Sequence, residues 1–107
     1  MRIFFYHAQT RLPQEIIIAD DGSDRRTTEV IGKFTQASPV PVKHTWQKDD
    51  GFRAAESRNR AIAAATSDYL IIIDGDMVLD PSFIADHIAA AKKGRLIQGS
   101  RVILSKE

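Results

Sequence analysis

Two acidic clusters in this 107-residue chain stand where carboxylates could do chemistry. The first is Asp20-Asp21-Gly22-Ser23 and the second is Asp74-Gly75-Asp76. Each follows directly on an Ile-rich run, Ile16-Ile17-Ile18-Ala19 or Tyr69-Leu70-Ile71-Ile72-Ile73. Carboxylates crowded beside an apolar strand raise each other's pKa unless something neutralises them. A divalent cation does so simply, since Mg²⁺ or Mn²⁺ prefers carboxylate oxygen and binds one or two protein ligands beside phosphates and water. Gly75 puts no side chain between the two aspartates, so a substrate can approach the backbone there. The bland alternative makes each Asp-Gly a turn and lets residues 20–23 cap the next helix. Two clusters at the ends of two runs favour the functional reading.

Between the clusters lies Lys48-Asp49-Asp50-Gly51-Phe52-Arg53-Ala54-Ala55-Glu56-Ser57-Arg58-Asn59-Arg60, with its basic residues at a loop and a helix start. Free N–H groups and the dipole at a helix N-terminus favour an anion, and nearby Arg reinforces this. A diphosphate suits such a place. Arg60 is better read as the i, i+4 partner of Glu56 on a solvated face, whereas Arg53 and Arg58 are read as functional. His44 is expected to be structural, His87 a surface or packing residue, and Trp46 a packing anchor rather than a base-stacking platform. No Ser-His-Asp or Cys-His arrangement is present, nor a Gly-rich phosphate loop with a following Lys.

The elements that must carry these groups follow from the apolar pattern. Both Ile-rich runs, at 15–19 and 68–73, lack polar alternation, which suits strands of a parallel sheet buried on both faces. Residues 41–46 form a weaker strand, and residues 96–104 a fourth broken by Gly99. A helix is expected over 24–36, with Val30, Ile31 and Phe34 on one side. A second, over 54–66, is Ala-rich and offers a small-residue face for close packing on a sheet. The third should have Asp80 as N-cap, Pro81 first, Lys92 and Lys93 in its last turn and Gly94 closing it, with Ile84, Ile88 and Ala91 as its buried stripe. Alternating strands and helices imply a layered α/β domain with right-handed crossovers. In such sheets ligands bind beyond the carboxyl ends of the strands, where both acidic clusters fall. Residues 1–14 fit a strand or the end of a helix; the link from Ile3-Phe4-Phe5 to Glu15 is too short for a full crossover, which favours the tail of a helix.

Composition narrows the function classes. Hydrophobic residues are 43% and charged residues 27% of the chain, ordinary values for one small globular domain. A net charge of +1 gives no case for general nucleic-acid or membrane-surface binding. Without cysteine there is no disulfide framework and no thiolate metal site. The longest apolar runs fall far short of a membrane span, and the start has no extended apolar leader, so a cytoplasmic-facing protein is expected. A receiver-like signalling domain would need a later strand-borne Lys at a spacing this sequence does not supply.

Taken together, Pro13 to Ser23, Gly51-Phe52-Arg53 with Arg58-Asn59, and Asp68 to Asp76 resemble family 2 glycosyltransferases. The stretch His44-Thr45-Trp46-Gln47-Lys48-Asp49-Asp50-Gly51-Phe52-Arg53 is similar to the bacterial branch making capsule, lipopolysaccharide or chondroitin-like polysaccharides. The resemblance implies the GT-A fold, a three-layer, Rossmann-like α/β domain with a mostly parallel sheet. By the same resemblance Asp20 and Asp21 contact the nucleotide base, usually uracil, and Arg53, Arg58 and Asn59 run past the ribose and diphosphate. Asp74 and Asp76 match the DXD signature, Asp74 toward the ribose and metal shell and Asp76 on Mn²⁺ or Mg²⁺. The cation would act as a Lewis acid on the leaving diphosphate. The implied partners are a UDP-sugar donor and a saccharide or lipid-linked acceptor, in cell-surface polysaccharide synthesis, with the enzyme cytoplasmic or peripheral to the inner face of the membrane.

The departures shape the expectation as much. The family's usual first strand, with its Thr/Asn-containing loop, has no counterpart here, and neither has the acceptor-binding half that supplies the carboxylate general base. The chain therefore reads as a single donor-domain fragment over 1–107, with a catalytically inactive nucleotide- or metal-binding module as the alternative. The family's first strand lies in the middle of the sheet, so its loss exposes unpaired edges. Rearrangement, the segment Ile3-Phe4-Phe5-Tyr6, or a second chain through dimerisation or swapping is expected to fill the gap.

Overall fold

The computed structural model describes residues 9–74, 77 and 79–100. Within them the chain runs β1 (Ile16–Asp21), α1 (Arg25–Ala37), β2 (Val42–Gln47), α2 (Ala54–Ala64) and α3 (Phe83–Ala90). The two strands pair in parallel from Ile16 beside Val42 to Asp21 beside Gln47, and α1 forms the crossover that parallel pairing requires. This is an α/β domain with an incomplete sheet, as expected.

Side chains alternate between faces along a strand, and here the two faces receive different helices. Ile16, Ile18 and Val42 pack with Ile31 and Phe34 of α1. Burying each large side chain of that cluster stabilises by about 1.5–3 kcal/mol. Val30, expected beside them, is 49% exposed, because one residue turns a helix by about 100° and carries it off the stripe. Asp24 starts α1 by accepting the N–H groups of Arg26 and Thr27 at 3.0 and 3.3 Å. Pro39 ends it, holding Ser38 extended.

The other face carries α2. Ala54, Ser57, Ala61 and Ala64 recur at helical spacing on its more buried side, the small-residue face read from the sequence. Both ends of α2 are tied to the sheet. At the far end Lys43 Nζ donates to Ala64 O at 2.8 Å and pairs with Glu15 at 3.1 Å. Glu15 Oε1 also accepts the Thr66 N–H at 2.7 Å. A cation at a helix C-terminus complements the dipole. The Thr66 N–H, then Lys43, hold the Glu15 carboxyl below its ordinary value.

Several expectations need correcting. Residues 68–73 form no strand among the described residues, and Ile72 and Ile73 are 58% and 44% exposed. A strand exists only through its ladder, and among the described residues β1 pairs with β2 alone. Residues 96–100 form no strand either, and the rest of that run lies outside the described residues. β1 itself is buried only at Ile18 and Asp20, with Ala19 exposed. The described part of the N-terminal segment, residues 9–14, is not helical; residues 3–6 lie outside the description.

α3 starts later than expected. Its N-cap is Ser82, while Asp80 closes a preceding turn by accepting the Ser82 N–H at 2.8 Å. The missing cap comes from afar: Gln9, 7% exposed, accepts the Ile84 N–H at 3.1 Å and donates to Asp80 O at 2.7 Å. Lys92 and Lys93 lie beyond the helix, and Gly94 (φ +80°) serves a separate turn closed by Arg95 N to Lys92 O at 3.0 Å. Ile84 is buried as expected. Among the described residues, α3 lies against none of the other four elements. No helix there is long and apolar enough to cross a membrane.

Candidate active site at the strand ends

The two strands of the sheet end together at Asp21 and Gln47, and the loops that follow touch at their backbones. Gly22 has φ +83°, and a Cβ built on it would lie 2.4 Å from Asp49 Cα. Only glycine fits, both for the left-handed conformation and for the approach. The Asp-Gly dipeptide thus makes a turn, as the bland reading held, and the turn brings the β2–α2 loop against the first acidic cluster.

Because consecutive residues face opposite sides, the sheet separates Asp20 from Asp21. Asp20 lies on the α1 side, 7% exposed. Its Oδ1 accepts the Ser23 N–H at 2.8 Å, and its Oδ2 accepts the Ser23 hydroxyl. His44 Nε2 lies 2.8 Å from the same Oδ2 and donates, since an ionised carboxylate only accepts. Burial pushes the Asp20 carboxyl up, but the two Ser23 bonds and His44 together outweigh it and hold the group below its ordinary value. His44 is structural, as expected. Trp46, on the same side, is no buried anchor. It is 50% exposed, donates from Nε1 to Ser23 O at 3.2 Å, and lines an open groove of about 470 Å³ with Asp24, Arg25 and Thr28.

Asp21 faces α2. Its Oδ1 accepts from Gln47 Nε2 at 2.7 Å and its Oδ2 from the Arg53 N–H at 2.8 Å. Gln47, followed by the Arg53 N–H, holds this carboxyl below its ordinary value, against partial desolvation and the neighbouring Asp20 charge. The structure therefore joins Asp21 and Arg53 through the backbone. The Arg53 side chain turns to its own surroundings, reaching Glu56 at 2.8 Å and Lys48 O at 2.9 Å. It ties the loop to the first turn of α2 and leaves its charge largely spent. Arg58 and Asn59 are exposed on α2. Arg60 lies 3.8 Å from Glu56, the surface pair read from the sequence.

The second acidic cluster is only partly described. Asp74 is exposed and its C=O accepts the Met77 N–H at 3.4 Å, while Asp76 lies outside the described residues. The described residues do not assemble a metal site by themselves, since no group of three His, Asp or Glu side chains among them could hold an ion. Sequence reasoning passed over Gln47. The signal was available only with the strand register, which sets a buried amide directly beside the last acidic residue of β1.

Comparison with known proteins agrees with this architecture. The chain is 30% identical over 81 residues to a hyaluronan synthase of Pasteurella multocida, covering 76% of the chain and 8% of that protein. It is 34% identical over 74 residues to a chondroitin synthase of Escherichia coli, covering 69% of the chain and 10% of the relative. A validoxylamine A glucosyltransferase of Streptomyces hygroscopicus subsp. limoneus is 29% identical over 84 residues, or 77% of the chain and 18% of that protein. The chain thus spans less than a fifth of the length of these relatives. No solved structure gives a significant match. The family model described as glycosyl transferase family 2 matches residues 6–107, nearly the whole sequence, and the chain belongs to that family.

Proposed function

We propose that this chain forms the donor-nucleotide part of a glycosyltransferase acting in cell-surface polysaccharide synthesis, on the cytoplasmic side of the membrane. The carrying observation is the junction at the carboxyl ends of the parallel strands, where Gln47 and the first turn of α2 present the Asp21 carboxylate. That edge is where open α/β sheets bind ligands. An ionised carboxylate there accepts hydrogen bonds only, which suits an N–H of a nucleobase such as the uracil imide. Arg58 and Asn59, exposed on α2, are assigned to the ribose and diphosphate. Arg53 contributes its backbone more than its guanidinium. Asp20, saturated by Ser23 and His44 on the opposite face, shapes the turn that delivers Asp21.

Asp74 and Asp76 are assigned to a Mn²⁺ or Mg²⁺ ion that enters with the diphosphate, since such ions take few protein ligands beside phosphate oxygens. Binding without turnover by this chain alone is the second reading, favoured by its spanning less than a fifth of the length of the relatives named above. Titration calorimetry with UDP, with and without Mn²⁺, tests the first, and hydrolysis of UDP-sugars separates the two. UDP binding strengthened by Mn²⁺ and lost in Asp21→Ala is the expected result. Binding unaffected by Asp21→Ala would reject the site.

A further inference from the structure

We propose that Gln47 is a positioning residue, whose amide fixes the direction of the Asp21 carboxylate and couples it to the first turn of α2. The inference deepens the donor-site reading and rests on it for its link to the nucleotide. Gln47 is 3% exposed, the most enclosed polar residue of the strand-end junction. Its Nε2 donates to Asp21 Oδ1 at 2.7 Å and lies 3.3 Å from Arg53 O, while Asp21 Oδ2 accepts the Arg53 N–H at 2.8 Å. One amide group thus joins the last residue of β1, the last residue of β2 and the N-cap of α2.

Only the donor half of that amide is used. Gln47 Oε1 is buried with no partner among the described residues, as is Arg53 Nε. A group chosen for packing alone would not bring an orphaned acceptor into the interior, where an unpaired polar atom is costly. The two N–H bonds explain the amide. They leave each Asp21 oxygen with lone pairs to spare for a ligand.

Gln47→Met tests this, because its side chain has similar length and packs without the donor. Packing alone predicts that nothing at Asp21 changes. Positioning predicts that the Asp21 carboxyl, followed by carbon-detected NMR, moves up toward its ordinary value, and that UDP affinity falls about tenfold, the effect of one lost hydrogen bond to a charged group. Gln47→Glu gives a second reading that does not depend on the Met variant folding. At about pH 7 the added carboxylate faces Asp21 and binding should drop; toward about pH 5 the pair shares a proton, the donor returns, and binding should recover. An unmoved Asp21 titration in Gln47→Met, or a Gln47→Glu variant whose UDP affinity has no such pH profile, overturns the proposal. If the parent chain binds no UDP while Asp21 still titrates higher in Gln47→Met, the donor-site reading fails and the positioning role stands.

Discussion

The Ile run of β1 has a parallel neighbour, a helix on each face, and carboxylates at its end that are each hydrogen-bonded. The run at 69–73, equally apolar, has no ladder among the described residues and leaves Leu70, Ile72 and Ile73 at 40% to 58% exposure. α3, which follows it, touches no other helix or strand there and takes its cap from Gln9. The difference is one of partners rather than of propensity. An apolar run becomes a strand only when a neighbour satisfies its backbone, and it becomes a core only when a helix covers it. The acidic residues inherit the same contrast: Asp21 is held where β1, β2 and the start of α2 meet, whereas Asp74 is exposed at the end of the run that has no ladder among the described residues.

The strongest way to break this comparison is to delete apolar side chains from each region. Ile31→Ala, at a residue 2% exposed, should destabilise by about 3 kcal/mol in urea unfolding. Ile73→Ala, at 44% exposure, should cost under about 0.5 kcal/mol. Equal losses would show that the second run has a core of its own. The glycines offer a matched pair. Gly22 and Gly94 share positive φ, but a Cβ meets Asp49 backbone only at Gly22. Gly22→Ala should therefore cost about 3 kcal/mol and Gly94→Ala only about 1 kcal/mol.

Acid should act on the first region by a smaller amount. Glu15, Asp20 and Asp21 all have folded-state values below their ordinary 4.5, 3.8 and 3.8. The unfolded chain then binds more protons in acid, so their contribution is complete above the unfolded values and is lost as pH falls through the folded ones. Urea midpoints should be level at about pH 6 and decline below about pH 4.5, less steeply in Asp20→Asn. The smallest expected effect sharpens the comparison from the other side. Gln9→Ala should cost about 1 kcal/mol, read as lost hydrogen-exchange protection in α3 while β1 and β2 keep theirs.

Much of the first region was legible because its signals are local. The helix expected over 24–36, the small-residue face of α2, the turn at Asp21-Gly22 and the Glu56–Arg60 pair each depend on residues a few positions apart. The expected strand at 68–73 failed for the opposite reason: its formation depends on a neighbour, and apolarity says nothing about whether one is present. The Asp80 cap failed similarly, since Gln9, far away in sequence, took over part of that work.

The order of residues by itself determined the parallel α/β character and the acidic turn at the end of the first buried run, and its motifs carried the likeness to the family. The first two follow from periodicity, propensity and spacing, which are properties of short segments. Only the tertiary structure decided that Asp20 and Asp21 serve opposite faces, that Arg53 lends its backbone rather than its charge, and that Gln47 aims the carboxylate. These depend on strand register and on which helix covers which face, and a one-residue slip in register would reverse every one of them.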